Sequence, residues 1–232
     1  MVKALATDET PTRIRTAAVR LFARWGFAAV GIRDLANEAG INSATLYHHF
    51  GSKDDLLLDI MRVGLVELLE MEQQAVASQR KPAARLAALV HVHVIAHALA
   101  AESCRVVDQE IRALRSEHRS EIVELRDRIE QLWRSVISEG MKAGVFRTTV
   151  PAPMTALALL DMATGISRWF DADGVTTADD FAQQYVDVAL RAVDARRSKS
   201  PSAARVLGSD LYDSVARTWD VRRLAQVGGV RR

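Results

Sequence analysis

The chain has 232 residues, 49% of them hydrophobic, enough to bury a core without covalent staples. A lone cysteine, Cys104, excludes an intrachain disulfide, and Met1 to Thr12 lack the charged and apolar regions of a secretory signal, so a reducing cytoplasm is expected. The net charge of +2 conceals basic ends: residues 1–53 hold seven Lys/Arg against four Asp/Glu, 54–195 hold 15 against 22, and 196–232 hold nine against three. A polyanion would be attracted by the first segment and the tail and repelled by the middle.

Helical periodicity dominates and strand-like alternation is nearly absent, which predicts an all-α protein. Thr10 caps and Pro11 opens a first helix, whose stripe of Ile14, Ala17, Ala18, Leu21, Phe22 and Trp25 falls at helical spacing and ends at Gly26. A short second helix runs from Ile32 through Leu35, Ala36 and Ala39 to Gly40, with Arg33 outward. Asn42 caps a third helix starting at Ser43, and Ile41 with Leu46 forms a hydrophobic staple. Leu46 and Phe50 face inward there, leaving Ser43, Ala44, Tyr47 and His48 on the opposite side. Two helices joined through Gly40, Ile41 and Asn42 make a helix-turn-helix, whose second helix enters a DNA major groove. Gly51 breaks the chain, and Ser52 with Asp55 caps a fourth helix reaching about Glu72.

Beyond it the spacing predicts helices over Pro82–Ala101, Ser103–Leu114, His118–Glu139, Pro153–Trp169 and Ala178–Ala195, with turns at Gly140, Gly144, Pro151 and the run from Asp171 to Gly174. The apolar stretch from Leu86 to Ala101 is broken by His91, His93 and His97 and is short for a bilayer, so no membrane association is expected. The last two helices are apolar around more than one side, and a homodimer interface using Leu157, Leu160, Phe181, Tyr185, Val188, Ala189 and Ala192 is the simplest way to cover them. The domains expected are 1–52 for the helix-turn-helix, 53–195 for a larger helical effector-binding and dimerisation domain, and 196–232 as a basic extension. Within that extension Leu207, Leu211, Val215, Trp219 and Val221 share one helical face.

These residues resemble the bacterial tetracycline-repressor (TetR) family of transcription regulators, most closely over residues 12–60. The matching run includes Ala17 to Phe27, Ile32 to Ala36, Ala39 to Ile41 and Thr45 to Lys53. The resemblance implies a ligand-responsive repressor that is released from a palindromic double-stranded operator by a small molecule. It also implies that Thr45, Tyr47, His49 and Lys53 contact phosphates, while Arg33, Ser43, Ala44 and His48 lie nearest the bases. Gly31 stands where the family has Ser or Thr, so a phosphate contact there is lost or passes to the backbone amide. The stretches Val106 to Leu114 and Ile166 to Phe170 look similar to regulators of fatty-acid or sterol breakdown, which makes an acyl-coenzyme A thioester a candidate effector. His93, His97, Trp133, Arg168 and Trp169 are the candidate effector contacts, with Arg168 for a phosphate or carboxylate and Trp169 for an apolar part.

Other chemistry fits less well. His93 and His97 lie one turn apart, and Cys104 is a conceivable third metal ligand, but no carboxylate stands at helpful sequence spacing. His48 and His49 are adjacent on a helix and point apart, so neither metal nor cofactor is expected. With no nucleophile elbow, phosphate-binding glycine loop or zinc-protease motif, an enzyme is not expected. The competing reading is a dimeric small-molecule-binding protein without specific DNA binding. The charges from Glu102 to Arg147 read as a solvated helical surface with pairs such as Arg126 and Glu130.

Overall fold

A computed structural model describes residues 10–195; the basic extension and the helix expected within it lie outside the described residues. The elements, in order, are α1 (Thr10–Trp25), α2 (Ile32–Glu38), α3 (Ser43–Phe50), α4 (Lys53–Ala77), α5 (Pro82–Leu99), α6 (Ala101–Gln109), a 3-10 turn (Glu110–Ala113), α7 (Ser116–Lys142), α8 (Ala152–Thr164), a second 3-10 turn (Gly165–Arg168) and α9 (Ala178–Ala192). Among the described residues there is no strand.

The amino-terminal three helices close over Ile14, Ala18, Phe22, Leu35 and Leu46, all nearly or fully buried. Two arginines of α1 lock this head from outside: Arg13 donates to the Ala39 carbonyl at 2.6 Å, and Arg20 meets Glu38 at 2.8 Å. Trp25, expected on the buried stripe, is instead 59% exposed and lies under the Arg24 guanidinium, because Gly26 turns the chain away (φ 77°) before any element covers the ring.

α5 is the hub of the second unit, packed by α4, α7, α8 and α9. By length and composition it could cross a membrane, yet 78% of it is buried inside the protein, where a helix apolar on all sides belongs. α4 runs past Glu72 to Ala77 because Glu72 faces inward with Leu68, Leu69, Ala75 and Val76 rather than marking an end. α7 likewise continues through Gly140, which is not a turn. A Cβ there would stand 2.1 Å from the Phe146 ring, so the missing side chain admits Phe146 against the helix, and the turn falls at Gly144 (φ 64°). Arg126 does not pair with Glu130. It reaches across to α6, donating to the Val107 carbonyl at 2.7 Å and to Asp108 at 3.1 Å, where a buried acceptor is worth more than an exposed helical pair.

Candidate nucleic-acid interface and effector core

The helix-turn-helix is built by local capping. Asn42 Oδ1 accepts from the Thr45 backbone N–H at 2.8 Å and from the Thr45 hydroxyl at 3.1 Å, which fixes the start of α3. Such a cap contributes about 1 kcal/mol. Leu46 is fully buried beneath α3, which forces Ala44, Tyr47 and His48 outward, with Ser43 and His49 partly covered at its edges. Tyr47 is half exposed and Arg33 on α2 is exposed, with no ion pair among the described residues. Side chains aligned this way on a short, capped helix can reach base edges, while their neighbours position the helix on phosphates. Gly31 does not offer a free amide: its N–H donates to Asp34 Oδ2 at 2.8 Å, so α2 is capped by its own carboxylate.

Lys53 is placed differently from the expectation of an open phosphate contact. Its ammonium donates to the carbonyls of Phe27 and Val30 at 2.9 and 2.8 Å and lies 4.1 Å from the centroid of the Phe27 ring. Burial lowers its pKa, and the nearby Glu110 carboxylate opposes that change.

Polar contacts between this head and the rest gather at the start of α4 and the end of α6, beside the packing of α1 on α6. The backbone N–H of Phe27 donates to Glu110 Oε1 at 3.1 Å. Arg115 meets Asp54 at 3.0 Å and Asp55 at 2.9 Å, and His118 hydrogen-bonds Asp54. Burial alone would raise the Asp54 pKa, but hydrogen bonds from Arg115 and His118 together hold it below the ordinary carboxylate value. Asp54, Asp55 and His118 form a trio of potential metal ligands, but the Arg115 guanidinium already supplies the positive charge between the two carboxylates. Arg62 and Glu121 tie α4 to α7 farther along.

Inside the second unit, three of the five residues expected to meet an effector come together. His93 and His97 stack with ring centroids 4.1 Å apart, and Trp133 stands edge-on to His93 at 5.3 Å. They surround a carboxyl group that the sequence reading missed. Glu72 is fully buried, its Oε1 lies 2.7 Å from His93 Nδ1, and the Trp133 indole N–H donates to it at 3.3 Å. Burial pushes the Glu72 pKa well up and those of His93 and His97 down to about 3, so the cluster is neutral. Glu72 shares a hydrogen bond with His93 Nδ1, and His93 Nε2 shares another with the Thr164 hydroxyl at 3.0 Å. His97 Nδ1–H donates to the His93 carbonyl at 2.9 Å. Toward the surface the cluster continues to Asp108, whose pKa burial raises against the opposing charge of Arg126 and Arg168.

Arg168 and Trp169 are both exposed at the end of the second 3-10 turn, Arg168 near enough for its charge to act on Asp108. Trp169 packs instead on α9, with centroids 5.2 Å from Phe181 and 6.4 Å from Tyr185. Cys104 is buried, its thiol is pushed well up by that burial, and it donates to the Ala96 carbonyl, which suits a packed residue rather than a metal ligand. Of the residues expected at a dimer face, Leu157, Val188 and Ala192 are exposed and Leu160, Phe181 and Tyr185 are partly covered. Ala189 is a correction: it is fully buried, because its face of α9 is the one packed against α5. Met154, 59% exposed, extends the apolar surface of α8.

Comparison with known proteins agrees with this architecture. Residues 14–60 match the family model for bacterial regulatory proteins of the tetR family, and residues 79–193 match the tetracyclin repressor-like C-terminal domain. The HTH-type transcriptional repressor KstR2 of Rhodococcus jostii is 33% identical over 180 residues, covering 77% of this chain and 88% of that protein. The structure of the ketosteroid transcriptional regulator KstR2 of Mycobacterium tuberculosis superposes with a TM-score of 0.76 at 26% identity, over 82% of this chain and 97% of that one. AibR, solved in complex with isovaleryl coenzyme A and operator DNA, shares the fold with a TM-score of 0.70 at 24% identity, over 81% of this chain and all of that one. The chain belongs to the tetracycline-repressor (TetR) family and is a DNA-binding transcriptional repressor.

Proposed function

We propose that two copies of this chain present their α3 helices to successive major grooves of a palindromic operator and let go when an acyl-coenzyme A thioester or a similar hydrophobic molecule enters the second unit. Arg33, Ser43, Ala44 and His48 face the bases in this reading, and Thr45, Tyr47, His49 and Lys53 hold the phosphates. Residues 1–52 act as the reading head and 53–195 as the effector and dimerisation unit, with α4 shared mechanically between them. The observation that carries the reading is the outward face of α3, where Ala44, Tyr47 and His48 stand exposed over a fully buried Leu46.

The effector assignment is supported by the neutral polar cluster of Glu72, His93, His97 and Trp133, which offers hydrogen bonds inside an apolar core without a charge to neutralise. Arg168 would take a phosphate or carboxylate at the surface, and Trp169 an apolar part beside α9. The fold shared with AibR accommodates both a thioester and DNA. Successive grooves on one face of DNA are about 34–36 Å apart, so a small change in the separation of two heads weakens both half-sites at once.

Titration of a palindrome from the protein's own upstream region tests the DNA half. Tyr47→Ala and Arg33→Ala should each weaken specific binding by about tenfold, within the range for a lost nucleic-acid contact. Unchanged specific binding in both variants overturns the assignment of the face. Mass spectrometry of the denatured protein tests the effector half: a co-purified thioester supports the reading, and a chemically unrelated ligand that releases the operator replaces it.

A further inference from the structure

Lys53 and Glu110 approach the α1–α2 loop from opposite sides of the junction. Phe27 is the residue they share, its carbonyl accepting from Lys53 Nζ at 2.9 Å and its N–H donating to Glu110 Oε1 at 3.1 Å. Val30 supplies the second carbonyl at 2.8 Å, and the Phe27 ring underlies the ammonium. The neighbouring carboxylates do not compete for this position, since Asp54 and Asp55 are engaged by Arg115 and His118. Glu110 is the carboxylate that the second unit brings to this loop: it holds the Phe27 N–H, and its negative charge acts on the amine through space rather than in a direct ion pair. It sits at the carboxyl end of α6, two residues beyond Asp108, which Arg126 holds.

We infer that Glu110 restrains Lys53 from an operator phosphate: from the second unit it anchors the loop whose carbonyls hold the Lys53 ammonium inward and adds its charge to that site, and DNA must win the ammonium away to complete the contact. The inference rests on the proposed assignment of Lys53 as a phosphate contact. It makes Glu110 a positioning residue, acting on DNA through Lys53. Its location at the end of α6 gives the effector unit a direct handle on one phosphate contact, separate from any change in the spacing of the two heads. A shift of α6 that presses the carboxylate closer strengthens the competitor, and one that withdraws it frees the lysine.

The test is a double-mutant cycle on operator affinity, read over a range of salt concentrations, with the intact protein, Glu110→Gln, Lys53→Met and the combination. Glutamine keeps an oxygen to accept from the Phe27 N–H, so the loop stays anchored while the charge is removed. Glu110→Gln should tighten operator binding by up to about fivefold when Lys53 is present, the scale of a partly exposed ion pair, and have little effect beside Lys53→Met. Lys53→Met should also reduce the slope of log affinity against log salt by about 0.9, the signature of one lost phosphate contact. Equal tightening in both backgrounds would make Glu110 a general repulsive charge, and weaker binding on Glu110→Gln would make the anchor an aid to DNA binding; either result overturns the inference. An unchanged salt slope in Lys53→Met refutes the assignment of Lys53 itself, which is a distinct failure.

Discussion

A carboxyl group that is fully buried beside two neutral imidazoles ties the folding of this protein to pH. Glu72 keeps its proton in the folded state, where burial raises its pKa well above 4.5, and the unfolded chain releases it near that value. Its contribution is therefore fully present below about pH 4.5 and is lost as pH rises through the folded value. His93 and His97 behave oppositely: pushed down from 6.5 to about 3, they contribute stability that is present above 6.5 and lost as pH falls toward 3. Glu72→Gln retains an acceptor for the Trp133 N–H and a donor for His93 Nδ1 while removing the titration. Denaturant unfolding between pH 5 and 9 should show the parent losing stability relative to this variant as pH rises, with the two converging at the acid end. Parallel curves would mean that Glu72 is ionised in the fold, paired with a protonated His93. Glu72 is not legible at short sequence spacing from the histidines, because its partners arrive from α5 and α7. The signal was nonetheless there, since Glu72 continues the inward stripe of Leu68 and Leu69 at helical spacing. The outward face of α3 was legible for the converse reason: on a short helix with one buried leucine, the period alone decides which side chains point away.

At the scale of elements, helix positions followed from apolar spacing and caps, whereas the residues read as stops did not always act as stops. Glycine marks a turn only where the backbone needs a positive φ, as at Gly144, and it can equally make room for a ring inside a helix, as at Gly140. Sequence cannot separate these two uses, because the ring that fills the space belongs to the segment after the turn. Gly140→Ala should thus destabilise the carboxyl end of α7, although alanine is the better helix former. The clash with Phe146 is with a ring wedged against the helix, so the overpacking cost of about 1–3 kcal/mol should exceed the propensity gain of roughly 1 kcal/mol. Denaturant unfolding measures the difference, and a variant as stable as the parent would show that Phe146 does not occupy that groove. The start of α4 makes a second case. Asp54, held below the ordinary carboxylate value, contributes to the junction above pH 3.8 and loses that contribution as pH falls through its folded value, a dependence that Asp54→Asn should remove from acid unfolding curves.

For the molecule as a whole, the proposed pairing of two copies rests on the outer faces of α8 and α9. Both helices give one side to the interior, α8 through Ala156, Leu159 and Ala163 and α9 through Ala182, Val186 and Ala189. Leu157, Met154, Val188 and Trp169 then remain between 46% and 59% exposed, a concentration of large apolar side chains that a lone copy would leave in water. The sequence reading recognised that these helices were apolar on too many sides but could not divide the inner face from the outer, and Ala189 fell on the wrong side of the line. The division itself is testable. Leu157→Asp combined with Val188→Asp should leave each copy folded but convert a dimer to monomers, measured by sedimentation equilibrium. Ala189→Leu should instead lower thermal stability by forcing bulk between α9 and α5, with the copies that remain folded still paired. Operator binding supplies the second readout: monomers engage one half-site at a time and forfeit the linked second contact, so the charged pair should lower operator affinity by about a hundredfold or more while binding to a single half-site persists. Dimers that survive both aspartates, or an operator affinity that does not depend on pairing, would place the interface elsewhere on the surface and remove the geometry by which two α3 helices reach one duplex.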